Sequence, residues 1–343
     1  MKLRTILLWC LVFAVLALVP LMPAPIGSNF YIDLVSKILI LAIFALSLQL
    51  LVGYTGLISL GHAAFFGLAA YIVAMLAPMS GPGNGWLMLG ASLLGAGLLA
   101  LVIGSLVMRT RGIYFIMVTL AFGQLVYFVF HDFSMFGGSD GTYVYFRPEF
   151  SLFGKLLIDL EQTAQFYWFV LFMLVVTVGF LGLLLRSRFG HALAGIKHNE
   201  QRMRAAGYST TAYKLGSFVV GGTLAGLAGF LFASQHGYVN PEIMSWHHSG
   251  NALVMIILGG LGSLPGAVLG AFTYVLLAEW FQDLTKHWQL LMGGTIILVA
   301  GLLPRGLAGI VPIKRGKFRL STRSRGAGAP ASRSANISTE RTQ

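Results

Sequence analysis

Residues 86–108, 113–130, 166–185 and 215–234 are four runs without a single Asp, Glu, Lys or Arg. Each approaches or exceeds the roughly 18 apolar residues that carry a helix across a bilayer. Between and around them the chain stays apolar: 57% of residues are hydrophobic and 10% charged, where a soluble domain carries about 25% charged residues. These runs predict an all-α, polytopic membrane protein whose apolar surface is buried in lipid and between helices. The net charge of +12 does not indicate a nucleic-acid partner. The cations sit between and after the apolar runs, where they set topology and meet anionic membrane lipid. The lone cysteine, Cys10, excludes an intrachain disulfide.

Taken in order, Lys2 and Arg4 precede an apolar run over 6–19. It reads as a retained first helix more than as a signal peptide, because Pro23-Ala24-Pro25 is a poor cleavage site. The second span is expected over 33–51, with Asp33 and Lys37 spaced to pair near its start. Adding the glycine-rich stretch 53–67, the four runs above, and 251–261, 266–280 and 288–303 gives about ten spans. Re-entrant segments in the two glycine-rich regions would change that count. With both termini cytoplasmic, the Lys and Arg residues fall inside, except Lys37, Arg147, Lys155 and Lys286. Residues 132–161 and 236–248 are then outside. The membrane-embedded body is expected over 1–312, followed at 313–343 by a basic tail with the composition of a disordered segment.

The loop 186–214 concentrates Arg186, Arg188, Lys197, Arg202, Arg204 and Lys214 between two spans. Asn199 is placed to cap a short helix starting at Glu200, and Gly207 to end it in a left-handed conformation. Such a helix has about two turns, roughly 12 Å. A short structured helix at the membrane face suits docking; an ordinary basic loop is the plainer alternative.

Small residues dominate 53–67 and 259–266. The pairs Ala63/Gly67, Ala70/Ala74, Gly222/Gly226 and Ala225/Gly229 have the small-xxx-small spacing of close helix packing. Gly53, Gly56 and Gly61, with Gly259, Gly260 and Gly262, also permit broken helices that line a cavity. Exposed glycine backbone can hydrogen-bond a small solute, so these six, with His62 beside them, are candidates for a translocation path; helix packing alone is the alternative. His62 reads as a packed, hydrogen-bonded histidine more than as a transport ligand. Glu279 and Asp283 share a helix face near an interface, where water and headgroups would solvate them. There is no phosphate-binding Gly-xxxx-Gly-Lys-Ser/Thr loop, no cysteine pair and no His-Glu-xx-His motif. The adjacent His247 and His248 are a weak metal candidate. No metal site, no cofactor and no catalytic residue is expected.

Four patches together carry a family resemblance over residues 30–312. They are Gly53-Tyr54-Thr55-Gly56-Leu57-Ile58-Ser59-Leu60-Gly61-His62; Arg111-Gly112-Ile113-Tyr114 with Val118-Thr119-Leu120-Ala121-Phe122-Gly123 and Gly137-Gly138-Ser139-Asp140-Gly141; Arg186-Ser187-Arg188-Phe189-Gly190 through Asn199-Glu200 to Ala205-Ala206-Gly207; and Gly259-Gly260-Leu261-Gly262-Ser263 with Gly266 and Pro304-Arg305-Gly306. The chain resembles the permease subunits of branched-chain amino acid ABC importers, of the LivM-like kind.

The resemblance implies an ABC importer permease fold in a bacterial inner membrane. It implies two ATP-binding subunits, a second permease subunit that shares the path, and a periplasmic substrate-binding protein. ATP would be hydrolysed by the partners, not by this chain. Glu200, Arg202, Arg204 and Gly207 would then belong to a coupling loop that docks on the ATPase, although the family's Glu-Ala-Ala-xxx-Gly pattern is only partly kept. Ile113, Gln124 and Phe136 stand where many relatives have Asp, Glu and Thr. Leucine, isoleucine and valine are the default substrates, with urea, amides and aromatic acids carried by related systems. The competing class is a stand-alone secondary carrier or channel. It calls for an ion-coupling acid at mid-membrane, which the sequence does not offer.

Overall fold

A computed structural model describes residues 16–18, 20, 28–152, 155–303 and 306–309. The expected first span and the tail at 313–343 lie outside them, apart from short pieces of the former. Eleven helices follow in order among the described residues: α1 (Asn29–Gln49), α2 (Ala63–Leu76), α3 (Gly85–Val107), α4 (Ile113–Asp132), α5 (Thr163–Arg186), α6 (Arg188–His198), α7 (Glu200–Ala205), α8 (Thr210–His236), α9 (Trp246–Gly259), α10 (Leu264–Leu284) and α11 (Trp288–Leu302).

Six of these are long and apolar enough to cross a membrane: α1 with the turn that extends it to Thr55, then α3, α4, α5, α8 and α10. This is fewer than the ten expected from the apolar runs. Glycine-rich breaks cut the chain at 56–62 and 260–263, leaving α2 and α9 at 14 residues each. At 1.5 Å per residue such a helix is about 21 Å long, short of the ~30 Å hydrocarbon core.

Helix α1 is the axis of the bundle. In its apolar window 83% of residues are buried, against 28% in α4, which leaves α4 on the rim. Around α1 pack α5, α8 and α10, while α8 also lies against α2 and α3. The small-residue spacing in α8 explains that approach. A methyl added at Gly222 would stand 2.5 Å from Ala100 Cβ, and one at Gly226 2.5 Å from Ala96 Cβ. Two positions four apart on α8 thus meet two positions four apart on α3. One turn further, Gly229 presses against the Phe66 carbonyl of α2. Dispersion over such close backbones, rather than the hydrophobic effect, holds helices together in lipid.

At one end of the bundle, the 133–162 insert folds back on the chain after α8. Strand β1 (Thr142–Tyr143) pairs antiparallel with β4 (Tyr238–Val239), and β2 (Phe150–Leu152) with β3 (Lys155–Ile158). Arg147 fastens the insert by donating to the Leu160 and Gln235 carbonyls at 2.9 and 3.3 Å. The two segments expected on one face are therefore bonded to each other.

One pairing differs from expectation. Lys37 does not bond Asp33; its Nζ lies 3.1 Å from Glu279 Oε1 on α10. The packing of α10 along α1 supplies a carboxylate from across the bundle, and Glu279 is thereby partnered by a cation instead of by solvent alone.

Candidate functional site

Residues from all four sequence patches, far apart in the chain, meet at the two helix breaks. Helix α1 ends in a widened π turn, Leu50–Thr55, closed by Gly56 in the left-handed region at φ 80°. Widening the turn shifts carbonyls out of the i→i−4 ladder, a feature frequent at functional sites. The second break, 260–263, joins α9 to α10. The two meet directly: a Cβ placed on Gly53 would stand 2.9 Å from Gly262 N. Gly61 packs against the Thr119 carbonyl and Gly123 of α4, and Leu60 N–H donates to Thr119 Oγ1 at 3.3 Å. Gly259 packs against the Gly266 carbonyl, and a Cβ on Gly306 would come within 2.5 Å of Gly260.

Gly53, Gly61, Gly259 and Gly260 thus make close backbone contacts within this chain. Gly56 differs, being exposed with only the Lys197 side chain near it. Ile58 and Leu261 are 38% and 52% exposed, so both breaks also present an open face.

His62 is fully buried, with its ring centroid 5.7 Å from those of Phe44 and Phe65. Its Nε2 lies 2.8 Å from Ser47 Oγ, and that hydroxyl donates its one proton to the Phe44 carbonyl at 2.6 Å. The hydroxyl must therefore accept from His62 Nε2–H, which leaves Nδ1 as a bare acceptor without a partner among the described residues. Ser249 Oγ accepts from Ala63 N–H at 2.8 Å and ties α9 to the same corner.

The loop 186–214 is more structured than its charge indicates. Ser187 Oγ accepts from Gly190 N–H and caps α6. Ala192, Leu193 and Ile196, spaced one, three and four apart, bury the inner face of that helix. This helix was legible in the apolar spacing but hidden by the cations around it. Next, Asn199 Oδ1 accepts from Arg202 N–H at 2.9 Å and caps α7. Gly207, at φ 86°, closes α7. Its N–H donates to the Arg204 carbonyl at 3.0 Å and Tyr208 N–H to that of Met203 at 3.1 Å, the paired bonds of a Schellman cap.

Glu200 latches α7 to the start of α8. It accepts from Lys214 Nζ at 2.6 Å, Arg204 Nη2 at 2.8 Å and Thr210 Oγ1 at 3.2 Å. Burial alone pushes its carboxyl up, but the Lys214 bond and charge, the Thr210 bond and the charge of Arg111 together hold it below the usual carboxylate range. Arg202 makes no ion pair among the described residues and is exposed. A recess of about 620 Å3 opens beside the latch, lined by Arg186, Arg188, His191, Met203, Tyr208 and Tyr213.

A bundle of apolar helices built around two interrupted ones is the architecture of a polytopic membrane permease. A family profile described as branched-chain amino acid transport system, permease component, matches residues 30–300. Over 308 residues the chain is 30% identical to the high-affinity branched-chain amino acid transport system permease protein LivM of Escherichia coli K12, covering 84% of this chain and 72% of that one. It is 29% identical to LivM of Salmonella typhimurium over 85% of this chain and 72% of that one. It is 24% identical to LivH of Escherichia coli K12 over 78% of this chain and 91% of that one. No solved structure matches. The chain belongs to the branched-chain amino acid transport permease family, and is a transporter permease subunit and not itself an enzyme.

Proposed function

We propose that this chain forms half of the path by which an ATP-driven importer carries leucine, isoleucine and valine, or closely related small solutes, across a bacterial inner membrane. The observation that carries the reading is the likeness to LivM across most of the chain, together with the meeting of residues from the four family patches at the helix breaks. Two ATP-binding subunits, a second permease subunit and a periplasmic substrate-binding protein complete the assembly.

Ten segments enter the membrane, the short helices α2, α9 and α11 among them, and both termini are cytoplasmic. Charge sorting supports this orientation. So does the bonding of residues 142–143 to 238–239 at one end of the bundle, with Arg111 beside Glu200 at the other. Helix α7, with Glu200, Arg202, Arg204 and Gly207, docks on an ATP-binding subunit, and the basic recess beside it suits an acidic surface there.

Substrate passes along the open face of the two breaks, at the interface with the second permease. Gly56 and Gly262 present backbone groups there, with Gly53, Gly61, His62, Gly259 and Gly260 supporting them from behind. The reading is tested by reconstituting the full complex and measuring ATP-dependent uptake of radiolabelled leucine, isoleucine, valine and urea. Uptake of the three amino acids over urea is expected, with no ATP hydrolysis by the isolated chain. Uptake of urea alone would overturn the substrate, and hydrolysis by the isolated chain would overturn the subunit's role.

A further inference from the structure

Two side chains join the basic loop to both helix breaks. Lys197, in the last turn of α6, reaches out of the loop and donates from Nζ to the Gly53 carbonyl at 2.5 Å. Its stem runs beside the left-handed turn, where a Cβ on Gly56 would stand 3.4 Å from Lys197 Cγ. Gln49, fully buried at the end of α1, donates from Nε2 to the Gly260 carbonyl and to the Ser263 carbonyl, each at 3.1 Å. Both partners are acceptors only, so the amide can sit in one orientation, with its N–H groups toward the second break.

We propose that Lys197 and Gln49 are positioning residues in one hydrogen-bonded line, running from α6 through the π turn to the 260–263 break, that sets the two breaks according to the position of the basic loop. The inference rests on the coupling role given above to α7, which follows α6 after the single residue Asn199.

Three physical features suit the line to this work. Gly53 lies in the π turn that ends a long helix, where carbonyls lose their ladder partners and carry the negative end of the helix dipole. An ammonium is favourable there. Second, Lys197 has no carboxylate partner among the described residues. Its bond can therefore open without separating a buried ion pair. Third, Gln49 Oε1 is buried with no partner among the described residues. A leucine would remove that unpartnered oxygen but would leave the Gly260 and Ser263 carbonyls without their Gln49 donor, so what the glutamine adds is the register it imposes between the breaks. Gly53 and Gly262 are in backbone contact beside it, so a shift of one break is felt by the other.

The test uses the complete importer in proteoliposomes with radiolabelled leucine and four variants of this chain: Lys197→Met, Lys197→Arg, Gln49→Leu and the double Lys197→Met/Gln49→Leu. Subunit assembly, basal ATP hydrolysis and leucine taken up per ATP are measured together. Lys197→Met is expected to assemble and hydrolyse ATP at the basal rate, while uptake per ATP falls about tenfold, a size typical of coupling between sites. Lys197→Arg, which keeps a donor at that reach, restores most of it. Gln49→Leu behaves as Lys197→Met does, and the double variant is no worse than either single one, because the line is already cut. Wild-type uptake per ATP in Lys197→Met overturns the proposal. So does multiplication of the two deficits, which would mean separate roles, or loss of assembly in Lys197→Met, which would assign that lysine to folding or docking. If Gln49→Leu fails to assemble, the Lys197→Met and Lys197→Arg pair decides alone. Failure of the parent reading looks different: the unmodified complex would then show no ATP-driven uptake, or uptake indifferent to changes in α7.

Discussion

Gly207→Val is the sharpest test of helix α7 as a rigid element. Gly207 sits at φ 86° with no atom of the described residues within 4 Å of where a Cβ would stand. Steric overlap with neighbours therefore contributes nothing, and the whole cost is backbone strain. For an L-residue in the left-handed region that cost is about 1–2 kcal/mol, and a β-branched residue is among the least tolerant there. A change of that size raises the open population of the cap about 5–30-fold. Two amides report it directly, those of Gly207 and Tyr208, bonded to Arg204 O at 3.0 Å and Met203 O at 3.1 Å. Hydrogen exchange at residues 207 and 208 should speed up by about that factor, with exchange in α3 and α5 unchanged, because opening costs that much less free energy. Gly207→Asn is the control: asparagine tolerates the left-handed region and should lose less. In the assembled importer the valine variant should reach the membrane but lose substrate-stimulated ATP hydrolysis. Wild-type exchange in Gly207→Val, or equal effects of valine and asparagine, would refute the strain argument. Normal coupling in Gly207→Val combined with Arg202→Glu and Arg204→Glu would reduce the loop to a topological signal.

Glu200 makes the loop sensitive to acid. Its carboxyl is held below the usual 4.5 in the fold, so its contribution is complete above 4.5 and is lost as pH falls through the lowered value; protease sensitivity of 199–214 should rise there in the wild type and be raised already at neutral pH in Glu200→Gln. Gly56 and Gly61 should separate transport from packing. Gly61→Val drives a side chain into the Thr119 carbonyl and should abolish assembly, whereas Gly56→Ala meets only the flexible Lys197 side chain among the described residues and strains the turn locally at φ 80°, so it should assemble with reduced leucine uptake; normal assembly of Gly61→Val would contradict the packing. For topology, single cysteines at Ser139 and Ser209 in a Cys10→Ser background should label from opposite sides of the membrane, and labelling of both from outside would overturn the orientation.

Much of this protein follows from local rules that need no partner across the fold. Apolar runs without charge define α3, α4, α5 and α8, because a span must satisfy its own backbone wherever it is placed. The caps of α7 were legible for the same reason: Asn199 and Gly207 act on amides and carbonyls within a few residues of themselves. The family, too, could be read from four short patches.

What only the tertiary structure decided is which groups meet. Nothing near Lys37 in sequence points to Glu279, and nothing near Gln49 points to residues 260 and 263, more than two hundred positions away. The glycines of 53–61 and 259–262 could have served a path or a packing seam; the fold places most of them against backbone of this same chain and leaves Gly56 open. Helix ends and turns are set by bonds between near neighbours, which a sequence displays. The junction of two broken helices depends on how closely whole helices approach, and that distance is a property of the assembled bundle.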